Sequence, residues 1–197
     1  MKLIGITGGV GAGKSEVLNY LENNYMAKIV LADEVAHELM LPHQPCYDEI
    51  IQAFPKLDLI EPDGRFSKKA LSELVFSDEK NRERINSLVH PAVKVEIKRR
   101  IAQAKNLHQI SYFVIEAALL IQDGYDTICD ELWYIYADEE IRRDRLRRNR
   151  NYTDDRISRI FASQLSDGEY RKHCKYTIDN GGERQDTYRQ IDEIMQQ

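Results

Sequence analysis

Residues 8–15, Gly-Gly-Val-Gly-Ala-Gly-Lys-Ser, combine residue types and a spacing that could bind phosphate. They fit the pattern G-x-x-x-x-G-K-[ST]; a β-like run, residues 3–7, precedes them and a helical pattern follows. In such a loop the glycines turn successive backbone N–H groups toward one anion, and the start of the next helix adds the positive end of its dipole. Lys14 can then charge-pair with the β- and γ-phosphates, and the Ser15 hydroxyl can ligate Mg²⁺. The motif therefore predicts binding of a nucleoside triphosphate with magnesium.

Two carboxylates could take part in phosphoryl transfer, which needs an acceptor hydroxyl in line with the γ-phosphate and an acid that orients it or takes its proton. Asp33 follows a second β-like run, residues 29–31, and ligands of open parallel sheets bind at the carboxyl ends of strands. It could also cap the helix predicted at residues 34–40, and both roles could hold together. Glu116 ends the apolar run 113–115, where it could bind the magnesium shell through water or pair with an arginine.

A cluster of arginines lies between positions 142 and 150 of a chain whose formal net charge is −5. Mobile guanidinium groups that close over a polyphosphate would explain the cluster, because phosphoryl transfer depends largely on electrostatic stabilisation. A solvated charged face is the alternative for some of them, since a helix with arginines on every side cannot direct all of them at one ligand. We expect Arg145 and Arg150 to be the closing groups.

The elements that must position these residues follow an alternating pattern. Short apolar runs alternate with longer helical patterns, which predicts an α/β fold with a parallel sheet covered by helices. Five strands are expected, at residues 3–7, 29–31, 112–115, 132–136 and 176–178. Between residues 41 and 109 the β-like pattern disappears and prolines separate short helical segments, which predicts a helical insertion. Asp138 and Thr153 are expected to cap two consecutive helices, a basic helix-turn-helix outside the sheet.

Composition excludes several classes of protein. The hydrophobic fraction of 42% and the charged fraction of 31% are those of an ordinary globular protein, and 197 residues suit one compact unit with insertions. The acidic balance argues against general nucleic-acid binding. The longest nearly apolar run, residues 113–121, is too short to cross a membrane, and the N-terminal residues do not form a signal peptide. Three widely spaced cysteines suggest no disulfide framework, so we expect a reducing, cytoplasmic setting.

Several segments together resemble the dephospho-CoA kinase family. Residues 5–15 look like that family's P-loop, and residues 32–37, Ala-Asp-Glu-Val-Ala-His, are similar to its D-A-D-x-x-A-H segment. Further similarities follow in order over almost the whole chain, at Asp63-Gly64, His90-Pro91, Leu119-Leu120, the arginine cluster, residues 160–164 and Asp179-Asn180. The resemblance implies a P-loop kinase fold and ATP-dependent phosphorylation of the ribose 3′-hydroxyl of dephospho-CoA, with Mg²⁺.

The resemblance also implies roles for individual residues. Asp33 would be the catalytic carboxylate, and His37 and His90 would lie near the acceptor, although single histidines of this kind are more often structural. The implied ATP site consists of Val10, Gly11, Ala12, Gly13, Lys14, Ser15 and Asn180. The implied organisation is a single domain with a nucleotide-binding core at residues 1–33, 110–138 and 171–197, a helical acceptor-binding region at 34–109 and a lid at 139–170. ATP and dephospho-CoA are the expected partners, without nucleic acid or membrane.

Some positions depart from the family's pattern, and other functions compete. Leu31 stands where the family often has an aspartate, and Ala118 and Gln122 replace its proline and its glutamate. The nearest rival is another small-molecule P-loop kinase, acting on a nucleoside, a nucleoside monophosphate or a small polyol. A regulatory GTPase would need the guanine-binding N-K-x-D, which the chain lacks. A nucleic-acid-dependent ATPase is disfavoured by the acidic net charge.

Overall fold

The computed structural model describes residues 1–55, 57–107 and 109–197. The chain divides into two compact units. The first consists of Met1–Ile29 and Leu107–Gln197, so it is built from both ends of the chain. The second is the continuous segment Val30–Asn106.

A five-stranded sheet with the order β2-β3-β1-β4-β5 forms the centre of the fold. Its strands are β1 (Lys2–Thr7), β2 (Ala27–Leu31), β3 (Tyr112–Glu116), β4 (Glu131–Tyr136) and β5 (Tyr176–Asp179). β1 pairs in parallel with both β3 and β4, and β4 pairs in parallel with β5. The central strands are apolar almost without interruption because helices cover both faces of such a sheet. The predicted α/β fold with five parallel strands is confirmed.

The helices are α1 (Lys14–Asn24), α2 (Ala32–Leu39), α3 (Pro45–Ala53), α4 (Lys68–Ser77), α5 (Glu79–Leu107), α6 (Glu139–Arg150), α7 (Asp154–Ala162), α8 (Asp167–His173) and α9 (Arg184–Met195). Among the described residues, none of these helices combines the length and the apolar character that a membrane crossing requires.

The caps predicted around the arginine cluster are present. The Asp138 side chain accepts a hydrogen bond from the Glu140 backbone N–H at 2.9 Å, and Thr153 accepts one from Arg156 at 3.4 Å. Each side chain satisfies a backbone donor that the first turn of a helix leaves unpaired. The expected pair of helices is therefore confirmed as α6 and α7. The sequence analysis did not anticipate α8, although Ser166 and Glu169 form a capping box at its start.

The second unit is helical, with one antiparallel bridge between Ile60 and Phe66. The expectation of short helical segments is wrong for α5, which runs for 29 residues and contains Pro91. Proline removes one backbone donor, so packing must compensate. The compensation is a stripe of buried side chains every four residues, namely Ile85, Val89, Val93, Ile97 and Ile101. This stripe keeps one face of α5 buried between Ile85 and Ile101, on both sides of Pro91.

Candidate active site

The phosphate loop connects the end of β1 to the start of α1, and it contains the predicted ATP-binding residues Val10, Gly11, Ala12, Gly13, Lys14 and Ser15. Gly13 stands at the N-cap position of α1 with a φ of 87°, in the left-handed region that favours glycine. No side chain accepts from the first N–H groups of α1 at this cap. The loop therefore directs backbone donors and the positive end of the helix dipole to one place, which is the geometry of an anion site.

Lys14 lies across this loop. Its Nζ donates a hydrogen bond to the Gly8 carbonyl oxygen at 2.9 Å and lies 3.4 Å from Oε1 of Glu116. Glu116 is the last residue of β3 and stands opposite Ile6 of β1 in the sheet register. Both charged side chains are largely buried, with 16% and 15% of their surfaces exposed. The sheet thus brings a carboxylate, an ammonium group and the phosphate loop together. The pairing of Glu116 with Lys14 was not predicted, and the part of Glu116 in the magnesium shell stays a prediction.

Asn180 holds the phosphate loop from the side of β5. Its Nδ2 donates to the carbonyl oxygens of Ala12 and Gly13 at 2.8 and 3.3 Å, and its Oδ1 accepts from the Thr187 hydroxyl at 3.0 Å. A β-carbon on Gly13 would collide with Nδ2 of Asn180. The close approach of this amide therefore requires glycine at position 13. The sequence analysis assigned Asn180 to the ATP site but did not identify Thr187 as its partner.

The arginines of α6 differ in their surroundings. Arg145 donates to the carbonyl oxygens of Ala12 at 3.3 Å and Asn180 at 2.8 Å, so one of the two predicted closing groups lies at the phosphate loop. Arg150, the other one, is exposed at the last position of α6. That Arg150 closes over the polyphosphate stays a prediction.

Arg142 also lies at the phosphate loop, although the sequence did not distinguish it from the other arginines of α6. A β-carbon on Gly9 would collide with Nη1 of Arg142, so the guanidinium lies directly against the loop backbone. Nη1 also donates to Oε1 of Gln164 at 3.1 Å, and the guanidinium carbon lies 4.3 Å from the centre of the Phe161 ring. The sequence did contain a signal for Arg142. Leu146 is the buried residue of α6, and Arg142, four positions earlier, lies on the same face of the helix.

The predicted acceptor-side residues lie in the second unit. Asp33 and His37 are exposed on α2 and separated by one helical turn, so they share a face; His90 lies partly buried on α5. Asp33 is in the first turn of α2, but the cap position belongs to Leu31, which provides no side-chain hydrogen bond. The interpretation of Asp33 as a helix cap is therefore wrong. Its predicted role as the catalytic carboxylate is not affected by this position.

The parallel sheet, the phosphate loop with its lysine and the arginine-bearing helices define a P-loop kinase. Solved structures support this class through the fold alone. The chain superposes on a crystal structure from Thermus thermophilus with a TM-score of 0.82 and 23% identity, over 99% of this chain and 96% of that one. The dephospho-CoA kinase from Campylobacter jejuni gives a TM-score of 0.72 with 19% identity, over 100% and 96% of the two chains. A shikimate kinase from Acinetobacter baumannii gives 0.57 with 16% identity, over 100% and 93%.

Sequence comparison is more specific. The family model of dephospho-CoA kinase matches residues 2–186. The chain belongs to the dephospho-CoA kinase family. Among its relatives, the dephospho-CoA kinase of Aquifex aeolicus is 30% identical over 100% of this chain and 97% of its own length. That of Geobacter metallireducens is 33% identical over 97% and 94%.

Proposed function

We propose that the protein transfers the γ-phosphoryl group of ATP to the ribose 3′-hydroxyl of dephospho-CoA, which gives CoA and ADP. The observation that carries this proposal is the phosphate loop with Lys14 against the Gly8 carbonyl, in a chain of the dephospho-CoA kinase family. The fold alone would serve other small-molecule kinases equally well, so family membership supports the choice of acceptor.

The phosphate side of the reaction follows from the loop. Its backbone N–H groups and Lys14 would bind the polyphosphate, and Arg145 would add positive charge beside the loop. The Ser15 hydroxyl and, through water, the Glu116 carboxylate would hold Mg²⁺, since both are hard oxygen ligands of the kind that this ion prefers. The bound ion would neutralise charge on the phosphate oxygens. Arg150 stays in the proposal as a second closing group.

The acceptor side is assigned to residues of α2 and α5. Asp33 would orient the 3′-hydroxyl and accept its proton as the new bond between that oxygen and the γ-phosphorus forms. The bond between the γ-phosphorus and the bridging oxygen breaks at the same time, and ADP leaves with the electron pair. His37 and His90 would contact the acceptor. Asp33 is exposed and therefore accessible to a substrate.

The setting of the reaction is part of the proposal. Cys46, Cys129 and Cys174 are all free thiols. Free cysteines fit a reducing compartment such as the cytoplasm, where we expect the enzyme to work.

The test is ADP release by the purified protein with Mg²⁺ and ATP, in the presence and absence of dephospho-CoA, followed by the mass of the product. We expect ADP release that depends on dephospho-CoA and a product heavier by one phosphate. The Lys14→Ala variant, prepared in parallel, controls for contaminating kinases and should be inactive. Turnover with a nucleoside, a nucleoside monophosphate or a small polyol, but not with dephospho-CoA, would replace the proposed acceptor and leave the kinase class intact.

Asp33→Asn tests the proposed base. The amide keeps the size of the side chain but cannot take the proton, so we expect kcat to fall by roughly 10²–10⁴-fold while the Kd for ATP stays within about twofold. Glu34→Gln is the matched control, since Glu34 is an exposed carboxylate in the same turn of α2 and should tolerate the change. Near-normal turnover of Asp33→Asn would remove Asp33 from this role.

A further inference from the structure

Five of the six arginines of α6 separate into two groups by their partners. Three of them form ion pairs on the surface: Arg143 with Glu139 at 3.0 Å, Arg147 with Asp154, and Arg148 with Asp144 at 3.0 Å. Arg142 and Arg145, in contrast, form no ion pair within the described part of the chain, although both contact the phosphate loop. Among the described residues, neither guanidinium group at the loop therefore has a carboxylate within ion-pairing distance.

Arg142 also carries an unsatisfied donor. Its Nε is buried and has no hydrogen-bond partner among the described residues, whereas Nη1 is bonded to Gln164. A buried donor without a partner is destabilising, so its presence calls for an explanation. The Phe161 ring, 4.3 Å from the guanidinium carbon, fixes the plane of the group and limits other orientations. Arg142 is therefore held in place while part of its donor capacity is unused.

The space next to Arg142 is open. A cavity of about 540 Å³ lies at the carboxyl end of β4, on the side of Arg142 away from the phosphate loop. Its wall includes Arg142, Phe161 and Gln164, together with the acidic residues Asp138, Glu139, Asp167 and Glu169. The guanidinium thus lies between the backbone of Gly9 and this cavity. Part of the guanidinium group therefore faces open space.

The loop contacts indicate which end of the polyphosphate each arginine would meet. A P-loop lysine reaches the β- and γ-phosphates, and Nζ of Lys14 lies at the Gly8 carbonyl. Gly8 therefore lies in the part of the loop where the lysine would meet these two phosphates, and Nη1 of Arg142 lies against the next residue, Gly9. Arg145 instead contacts Ala12, close to the start of α1. Although both arginines also lie near Gly11, their guanidinium groups contact different parts of the loop, Arg142 at Gly9 and Arg145 at Ala12.

We propose that Arg142, oriented by Phe161 and Gln164, contacts the terminal phosphate of bound ATP and stabilises the charge on the phosphoryl group during transfer. Arg145 acts at the other end of the loop, where its contribution does not depend on the number of phosphates. The inference rests on the proposed use of ATP but not on the identity of the acceptor. Phe161 and Gln164 are positioning residues, because they act through Arg142.

The test is the binding of a non-hydrolysable ATP analogue, ADP and AMP to Arg142→Met, measured by calorimetry without any acceptor. A lost charge-assisted hydrogen bond corresponds to roughly a 10–100-fold weaker affinity. We expect this loss for the ATP analogue, a smaller one for ADP, and AMP affinity within about twofold of the wild type. Arg145→Met should weaken the three nucleotides by similar factors. Arg148→Met removes a surface arginine of the same helix and should change none of them.

Two further variants keep the test decisive. Arg142→Lys retains the charge and should recover part of the ATP affinity. Gln164→Glu places a carboxylate 3.1 Å from Nη1 and neutralises the charge without removing Arg142, so it should also weaken the ATP analogue more than AMP. Equal losses for the three nucleotides, or loss of AMP binding in Arg142→Met, would show that Arg142 only supports the structure. Unchanged ATP binding and unchanged kcat would also overturn the inference.

If the acceptor were not dephospho-CoA, these binding results would stand unchanged, whereas the ADP-release assay would fail. The two proposals can therefore fail separately.

Discussion

Asn180 shows how a residue can serve a nucleotide site through its effect on the backbone. Both bonds of its Nδ2 go to carbonyl oxygens of the phosphate loop, and its Oδ1 is held by Thr187. The side chain is buried, with 6% of the residue exposed. Asn180 therefore fixes the turn at Gly13, and its effect on ATP should come from the shape of the loop.

Replacing Asn180 by alanine should loosen that turn. The change leaves the carbonyl groups of Ala12 and Gly13 and the Thr187 hydroxyl without this partner, at a cost of about 1–3 kcal/mol. For a chain of this length we expect the Tm to fall by about 2–4 °C per kcal/mol and the KM for ATP to rise. Thr187→Val, which removes only the supporting bond, should show the same changes to a smaller degree. An unchanged Tm and KM would show that these bonds do not hold the loop.

The sequence predicted the phosphate loop well because each of its residue types is needed for a separate physical reason at a fixed spacing. It did not predict Arg142, because the six arginines are chemically alike and only their neighbours distinguish them. Phe161 and Gln164 lie about twenty positions away, so their contact with Arg142 depends on the angle between two helices. Local patterns do not determine such an angle.

At the scale of elements, α5 depends on packing more than on the preferences of its own sequence. Ile97 is fully buried, whereas Val95, two positions earlier, is 69% exposed. Ile97→Ala should lower the free energy of unfolding by about 2–5 kcal/mol, because it leaves a cavity under the helix. Val95→Ala is the control on the same helix and should change it by less than about 0.5 kcal/mol. Chemical denaturation measures both, and similar values for the two variants would contradict the packing argument.

A charged network on α5 should make stability depend on pH. Hydrogen bonds from Arg99 and then Arg100 lower the pKa of Glu96 to about 2, against an opposing effect of burial. Because the folded-state pKa lies below the unfolded one, the contribution is complete above about pH 5. It is lost as the pH falls toward 2. The wild type should therefore exceed Glu96→Gln in stability at pH 7, with the difference shrinking between pH 5 and 2; a difference independent of pH would exclude this origin.

Local signals predicted the helices α6 and α7 but not α8, whose capping box was missed, and the long helix α5, which is held by distant contacts, was not predicted. Asp138 and Thr153 cap their helices within the same turn, so their sequence positions were sufficient. A proline in the sequence usually indicates the end of a helix. α5 nevertheless continues through Pro91, because its stripe of buried side chains continues on both sides of the proline. The period of four in that stripe is present in the sequence, but only short helical segments were predicted for this region.

At the scale of the whole molecule, the division into two units gives a test of the acceptor region. The phosphate loop, Glu116, Arg142 and Asn180 all belong to the first unit, whereas Asp33 and the two histidines belong to Val30–Asn106. In hydrogen–deuterium exchange, ATP with Mg²⁺ should protect the phosphate loop and the start of α1. Dephospho-CoA alone should protect α2 and the part of α5 around His90. Lys14→Ala should lose only the first effect, and protection confined to the first unit by both substrates would move the acceptor site there.

The position of β1 has a consequence for how the chain is synthesised. β1 is the first strand to leave the ribosome, yet its neighbours in the sheet are β3 and β4, which begin at Tyr112 and Glu131. At ~5–20 residues per second, the nascent strand waits on the order of 5–20 s for these partners. The continuous segment Val30–Asn106 is complete during that interval and can form its own contacts first. The phosphate loop is therefore translated at the beginning but gains its structure only after more than half of the chain has been made.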